Sequence, residues 1–568
     1  MSFPVPAAGQ RRSHIGEILC AVAIIASGCM VGPNYHPPAV ATPAQWRNIT
    51  APQIKGAPAD SGEWWTAFGD PVLNRLIHVA YAQNLTLRQA GLRVIEARAQ
   101  LGISVGEFFP QVQEATGGWT HNVSSAHSPA SVGRFYYDDW RVVGDAAWEL
   151  DVWGRFRRGI ESDDASLYAS VMDYDDALTT LVSDVATAYI SLRSDDEQLA
   201  LARSDVGIQQ NSLKIANARF QAGAVSALDV AQASSVLANT QAMIPQLELA
   251  RRQSENRLCT LMGIAVRDLN DILGPPGVIP GAPPEVAVGI PADLLRRRPD
   301  VRAAEARAAA QCAQIGVATA DLLPHFSLSG SIGYESTQFK NLLDSSSLEA
   351  GGGPSVRWDI LNYGRIINNV RVQDARFEEL IVMYQQTVLA AGEDADSSLM
   401  QFIKSQEATG FLSQSVIATQ RAFDLSLAQY RAGGTSFLNV LNASATLVEE
   451  QVQLVQSQAA VADGLISLER ALGGGWSLRR GKEFIDRETA YRMRQRDNWG
   501  DILGKGYDKD ADLIFFPHPN PDNIPRSWIS GPPPGAKGSP PVTTTAPVRQ
   551  AESAPVEPIR LPETQPAP

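Results

Sequence analysis

The sequence lacks most of what catalysis or metal binding would need. It has four cysteines and no CxxC pair, and the HExxH, P-loop and GxSxG patterns are missing. Cys20 and Cys29 lie near the N-terminus. Cys259 and Cys312 stand alone on helical patterns and read as small buried side chains rather than a disulfide. The seven histidines and eight methionines are scattered, so neither a metal site, a soft-metal path nor a cofactor is expected. Basic charge is also short. Lys and Arg number 48 against 61 Asp and Glu, giving a net charge of −13, which argues against nucleic acid as a partner. The body holds no run of about 18 apolar residues, so a helical membrane span is not expected, although β-strands with their weaker hydropathy signal are not excluded. Finally, proline is missing between Arg155 and Ile244, and again between Ser355 and Phe516. Those gaps leave room for very long helices.

What fills the gaps is seven-residue periodicity. Leu192, Leu199, Val206, Leu213 and Phe220 form one series, and Leu201, Ile208, Ile215 and Ala222 form another. The two lie about 200° apart on a helix. Phe402, Val416, Phe423 and Tyr430, with Phe411, Ala418, Leu425 and Ala432, repeat the design. Two opposed stripes suit a stave in a cylinder of helices, and a four-helix bundle or plain coiled coil stays open beside it. A helix from Arg365 to Arg431 would span roughly 100 Å.

Each long pattern runs into a turn. Arg431-Ala432-Gly433-Gly434-Thr435-Ser436 matches Gln221-Ala222-Gly223-Ala224-Val225-Ser226 at a constant offset (430 − 220 = 210) that also relates Leu228 to Leu438. The chain therefore reads as an internal duplication of two hairpins. Gly223 and Gly433 let the backbone leave the helix, and Ser226 and Ser436 are placed to cap the next one.

Between helical regions the period changes to two. Trp140, Val142, Gly144, Ala146, Trp148 and Leu150 alternate with Arg141, Val143, Asp145, Ala147, Glu149 and Asp151, after a weaker strand at Val112–His121. Phe326–Tyr334 and Ser355–Ile360 repeat the pair. A lipid-facing barrel and a soluble sandwich both fit this alternation. A membrane barrel needs at least about eight strands and no open edges, so four would have to close between chains, and a trimer supplies twelve (3 × 4). Strand meets helix at Trp153-Gly154-Arg155 and at Tyr363-Gly364-Arg365, where Gly permits the bend and Arg suits a wet interface.

At the N-terminus, Arg11 and Arg12 precede an apolar run ending in Ala26-Ser27-Gly28-Cys29, which reads either as an export signal with Cys29 acylated or as an ordinary cleaved signal. Residues 1–28 are taken as the signal and 29–62 as an extended, lipidated leader. Residues 63–273 are the first repeat, 274–290 a Pro-rich connector and 291–474 the second repeat. Residues 475–568 are an extension, expected to be disordered from about 517.

Several motifs together resemble the outer membrane factor family, the exit ducts of tripartite efflux systems, in their lipoprotein branch. They are Gly28-Cys29 with Val31-Gly32-Pro33-Asn34-Tyr35, Trp64-Trp65 with Phe68-Gly69-Asp70-Pro71, Leu150 to Arg155, Arg298-Pro299-Asp300-Val301-Arg302, and the two Ala-Gly turns. The resemblance implies a mainly α, mixed fold: long antiparallel helical hairpins forming a trimeric α-barrel tunnel, with four strands per chain in a 12-stranded transmembrane barrel. It implies a homotrimer in outer membrane lipid, working with a periplasmic membrane fusion adaptor and an inner membrane resistance-nodulation-division pump. The Gly223/Ser226 and Gly433/Ser436 turns become the adaptor-docking tips. Leu438 becomes the narrowing of the tunnel, with Asn442 where the family has Asp, and Tyr430 a residue that bonds across to a neighbouring helix. The sequence departs from the pattern in its lipobox, which has Ala26 for Leu, and in its long tail.

A passive duct is thus the leading reading. A lipid-tethered coiled-coil scaffold without a pore is the alternative, and the alternating strands discriminate against it. Adjacent acids such as Asp163-Asp164 and Asp175-Asp176 point about 100° apart on a helix and read as wet helix faces rather than an acid/base pair.

Overall fold

The computed structural model describes residues 30–40, 46–47, 50–55, 62–123, 125, 127, 136–288, 297–500 and 502–503, all within one unit that ends at Asp508. The export signal, Cys29 and the Pro-rich tail lie outside the described residues.

Strand β1 (Ile54–Lys55) precedes helices α1 (Pro71–Gln83) and α2 (Leu85–Glu107). Asp70 caps α1, accepting from the Val72 amide at 2.7 Å, with Pro71 at the first helical position. The sequence reads as one helix to Gly106, but Asn84 breaks it. Its backbone leaves helical geometry, its Oδ1 accepts from the Leu87 amide, and its Nδ2 donates to Leu261 O.

Next come β2 (Val112–Val123) and β3 (Tyr136–Leu150), then α3 (Arg155–Gln221) and α4 (Ala227–Leu261). A short α5 (Asn270–Leu273) and β4 (Val286–Ala287), parallel to β1, lead to α6 (Pro299–Ala320). Then follow β5 (His325–Ser336), β6 (Leu348–Arg357), α7 (Arg365–Ala432), α8 (Phe437–Ala471) and α9 (Arg487–Arg494). Helix α7 has 68 residues, so it extends roughly 100 Å. No helix among the described residues is long and apolar enough to cross a membrane.

The fourth strand departs from expectation. It runs Leu348–Arg357, not Ser355–Ile360, and Trp358–Asn362 carries no strand. Gly351-Gly352-Gly353-Pro354 shows no alternation of side chains, yet it pairs with Leu328–Ser331 of β5. Pro354 sits inside this strand, and the pairing with β5 continues on both sides of it.

The antiparallel order is β2-β3-β5-β6. Its register puts Trp119, Trp140, Val142, Ile332, Leu328, Leu348 and Val356 on one face, and Glu114, Asp145, Ser331, Ser329 and Glu335 on the other. The apolar face is open: Trp119 is 54 % exposed, Ile332 62 % and Val356 62 %. A soluble sandwich would bury that face, so the structure favours the lipid-facing reading.

Helices α3 and α4 form one hairpin and α7 and α8 the other, with α3 touching α8. Along the distal part of α3 the buried line is Ala202, Asp205, Gln209, Ser212 and Ala216, small and polar, running between the two apolar series. In α7 the series at Phe402, Phe423 and Tyr430 is buried, whereas Phe411 and Leu425 are exposed.

A belt surrounds the bases of the hairpins. Trp65, Leu73, Leu76 and Ile77 pack on Leu178, Val182, Val185 and Tyr189 of α3. Residues 476–503, which sequence reading left without a role, close it. Phe484 and Ile485 cross α2 where a Cβ on Gly91 would lie 2.1 Å from Phe484 O. Leu503 is buried with Ile95, Ile485, Ala490 and Met493. Arg479 clamps Asp175 at 2.9 Å. That corrects the reading of the paired acids as wet faces: Asp175 and Asp164 are buried, and Asp163 accepts from Ser104. Helix periodicity alone does not reveal a strap that arrives from 304 residues away.

Candidate functional site

Two regions gather the singled-out residues. At the first, strand turns into helix. Gly154 precedes α3 with φ 81°, and Gly364 precedes α7 with φ 80°. Both sit in the left-handed region that glycine enters freely. At the first junction the Trp153 indole donates to Pro324 O at 2.8 Å, and Arg155 pairs with Asp321 at 3.1 Å. The Asp151 carboxylate accepts from the amides of Phe156 and Arg157, both at 3.1 Å, and so caps α3.

The leader docks here. The Val31 amide donates to Trp153 O at 3.0 Å. Gly32 lies so close to α6 that a Cβ would come within 2.4 Å of Gly316 Cα. Arg158, 2 % exposed, donates to Val31 O at 3.2 Å and to Asn34 Oδ1 at 2.8 Å, and pairs with Glu161 at 2.7 Å. Cys312 lies buried beneath, its thiol facing Pro33 O at 3.7 Å. Burial pushes that thiol up to about 11. Cys259 is likewise buried and free. Arg158 went unnoticed in the sequence, and Asp151 was read there as a strand residue and motif member, not as a cap. The only hint was an excess of charge, Arg155 to Arg158, on a helix start.

At the second junction Arg365 is 4.0 Å from Asp359, and the Asn362 side chain accepts from the Gly364 amide at 3.1 Å. Tyr363 takes φ 50°, which is strained for a residue with a side chain, and stands in solvent at 99 % exposure.

The motif at Arg298 braces the second repeat's base. Its guanidinium donates to Ala471 O at 3.0 Å and pairs with Asp300 at 2.8 Å, tying the start of α6 to the end of α8.

The second region is the pair of hairpin tips. Gly223 has φ 71° and Gly433 φ 81°; the Gly433 amide donates to Tyr430 O and that of Gly434 to Gln429 O, at 3.0 and 2.8 Å. Ser226 caps α4, its Oγ accepting from the Leu228 amide at 3.2 Å. Ser436, expected to do the same, makes no such bond. It is exposed, and Thr435 instead accepts from Asn439 at 2.6 Å.

Beneath the turns Tyr430, Phe423, Phe437, Val440 and Leu447 pack with Ala216 and Ala233. Tyr430 is 1 % exposed, and its hydroxyl donates to Asp229 Oδ2 on α4 at 3.2 Å, across to the other hairpin. Burial first, then the Asp229 carboxylate, raises the Tyr430 phenol. Arg219 lies over the Tyr430 ring at 4.5 Å and donates to Tyr430 O. Asp229 and Arg219 were missed, since an acid in a first helical turn and a base in a last one read as dipole partners. Leu438 and Asn442 are exposed, Leu438 at 51 %, one turn apart on α8. Its counterpart Leu228 is 62 % exposed.

Against known proteins, the family model described as "Outer membrane efflux protein" matches residues 76–264 and 290–474. Pyoverdine export outer membrane protein OpmQ of Pseudomonas putida is 31 % identical over 444 residues, covering 77 % of this chain and 93 % of that protein. Nodulation protein T of Rhizobium leguminosarum bv. trifolii is 29 % identical over 461 residues, covering 80 % and 96 %. The solved outer-membrane channel OprN superposes with a TM-score of 0.75 at 31 % identity, covering 79 % of this chain and all of that one.

Proposed function

The chain belongs to the outer membrane efflux protein family, and we propose that it works as the passive outer membrane duct of a tripartite efflux system. The observation that carries this reading is the sheet, with its exposed apolar face and outer strands β2 and β6 that have no further partner among the described residues. Open edges are not stable in lipid. Three copies would join β6 of one to β2 of the next and close twelve strands, and the exposed apolar series on α7 would pack on a neighbouring hairpin. Residues 63–273 and 291–474 are then two copies of one unit. Acylation of Cys29 would place lipid one residue from Met30, which packs against Gly154 at the strand-to-helix boundary.

In this duct the tips carry the partner and the gate. Gly223, Ser226, Gly433 and Ser436 shape the surface offered to a periplasmic adaptor, behind which stands an inner membrane resistance-nodulation-division pump. Three Leu438 side chains around the axis form a hydrophobic constriction, with a ring of Asn442 amides one turn on. The Tyr430–Asp229 bond ties the hairpins in the closed arrangement. No reaction chemistry is assigned to any residue.

Detergent-extracted protein should be a trimer that inserts conducting pores into planar bilayers. Leu438→Ala should raise single-channel conductance about twofold with assembly unchanged. Asn442→Asp should increase cation selectivity by adding three charges at the constriction. Cys29→Ser should lose lipid labelling yet stay with the membrane through its barrel. Complete release into the soluble fraction, without pores, would establish the tethered scaffold instead.

A further inference from the structure

The strap over the belt lies beyond the family match, which ends at residue 474. Residues 476–500 carry seven Lys and Arg against four Asp and Glu, in a chain whose net charge is −13. Four of the seven are engaged within the chain. Arg479 holds Asp175, Arg480 lies over the Trp476 ring, Lys482 lies over that of Tyr81, and Arg492 pairs with Glu488 at 3.4 Å. Arg487, Arg494 and Arg496 are exposed, and among the described residues none of them forms an ion pair or a side-chain hydrogen bond. Arg487 and Arg494 share one face of α9 with the exposed Tyr491, while Ala490 and Met493 on the other face are buried.

The order of the helices says what this face can meet. At belt depth α2 touches α3, α3 touches α6, and α6 touches α7, so α2 and α7 are the outer members of the row. On α2, Val94 faces the belt core, and Leu92, about 200° round the helix, packs beneath the strap with Ile485 and Met493. The strap thus covers the outward flank of α2. On α7, Tyr384 and Val388 pack with Val301 of α6, and Ile381 is buried beside them. Glu379, Val382 and Met383 lie about 200° from these residues and are exposed. Glu378 is exposed too, and neither acid has an ion-pair partner among the described residues.

The depths agree. Helices α2 and α7 each have one end at the sheet, and just beyond α2 the Trp148 indole donates to Phe108 O at 3.1 Å. Leu92 is 15 residues from that end of α2 (107 − 92), and Glu379 is 14 from that of α7 (379 − 365). At about 1.5 Å per residue, those are roughly 22 and 21 Å. One flank offers unpaired bases around an aromatic ring, and the other offers unpaired acids beside apolar side chains. We propose that the strap is an intersubunit clamp, in which Arg487 and Arg494 pair with Glu378 and Glu379 of the next copy and Tyr491 covers Val382 and Met383. Arg376 stands near these acids on α7 and limits the attraction, so the apolar contact through Tyr491 is part of the clamp. The clamp rests on the trimeric duct reading.

The test is dissociation of the full-length trimer on dilution in detergent, at low and high salt. Arg487→Glu with Arg494→Glu should raise dissociation about tenfold at low salt and less at high salt, and Glu378→Arg with Glu379→Arg should do the same. All four changes together should return it to within about twofold of native. Arg494→Cys with Glu379→Cys in one chain, treated with a short bis-maleimide, should give covalent dimers and trimers on a denaturing gel, and either cysteine alone should not. Every altered side chain is exposed, so helix content should hold throughout. Reversals without effect overturn the proposal and assign the basic face to an acidic partner outside the trimer. A quadruple variant as weak as the double ones, or a cross-link confined within one chain, also overturns it. Each of these failures leaves a conducting trimer in place and spares the duct reading, whereas a native protein that is no trimer overturns both.

Discussion

The junctions at Trp148–Arg155 and Trp358–Arg365 share their Trp, Gly and Arg positions at an offset of 210 (365 − 155), and they live in different surroundings. Both turn on a left-handed glycine. The first is covered: Met30 packs on Gly154, Val31 bonds Trp153, and Arg158 gathers the leader's carbonyls. The second is bare, with Ile360 70 % and Leu361 85 % exposed beside Tyr363. Local sequence therefore sets the backbone path, while its surroundings depend on what arrives from elsewhere. The counterpart of Arg158 in the second repeat is Asn368, exposed and too short to gather a leader. In the proposed trimer, the row of open apolar side chains at the second junction would meet a neighbouring copy.

The largest effect is expected where the junctions differ most. Arg158→Met strips Val31 O, Asn34 and Glu161 of their donor, all at a buried position. It should cost about 3 kcal/mol and free the leader to added protease. Asn368→Ala should stay within about 0.5 kcal/mol. Equal losses in thermal unfolding would erase the distinction between the two junctions.

Glycine replacement separates backbone strain from packing. Gly154→Ala meets both, since its Cβ would lie 2.8 Å from Met30 Cγ and 2.9 Å from Met30 Cα. It should cost about 2–3 kcal/mol. Gly364→Ala meets strain only, with Asn368 Nδ2 at 3.5 Å. About 1 kcal/mol is expected there. The difference, read from paired melting curves, measures the leader's packing.

How much of this was legible follows from range. The seven-residue series and the glycines at 154, 223, 364 and 433 act within a few residues, so the long helices and their bends could be read directly. The strand Leu348–Arg357 could not, because its glycines carry no pattern and β5 supplies its register. The buried state of Asp175 could not, because Arg479 is distant in the chain. Asp229 looked like an ordinary first-turn acid until Tyr430 was found against it. At the sites, then, the turns were visible and the partners were not.

A third test asks whether the bare junction is bare by design. Leu361→Ser and Tyr363→Ser remove apolar surface that touches little within the chain, Leu361 being 85 % and Tyr363 99 % exposed. Each protomer should fold as before, with helix content by circular dichroism unchanged. The proposed trimer should be weakened by about 1 kcal/mol per contact, visible as dissociation on dilution in detergent. A drop in helix content without dissociation would place these residues in the protomer's own folding.

The smallest effect is expected at the far end of the hairpins, where the duplicated turns differ by one hydrogen bond. Ser226 accepts from the Leu228 amide and Ser436 accepts from none of the first amides of α8, although both take the extended backbone of a cap. Ser226→Ala should therefore loosen the start of α4 by about 0.5–1 kcal/mol, and exchange of the Leu228 amide should quicken about threefold. Ser436→Ala removes a hydroxyl that already faces water, so the start of α8 should exchange at its native rate. That difference makes Ser436 the cleaner probe of the tip. If Ser436→Ala lowers efflux in cells while its helix start is unmoved, the loss belongs to a partner's surface and not to the turn. If Ser226→Ala and Ser436→Ala loosen their helices equally, the hydroxyl of Ser436 caps α8 in solution, and the two turns are equivalent after all.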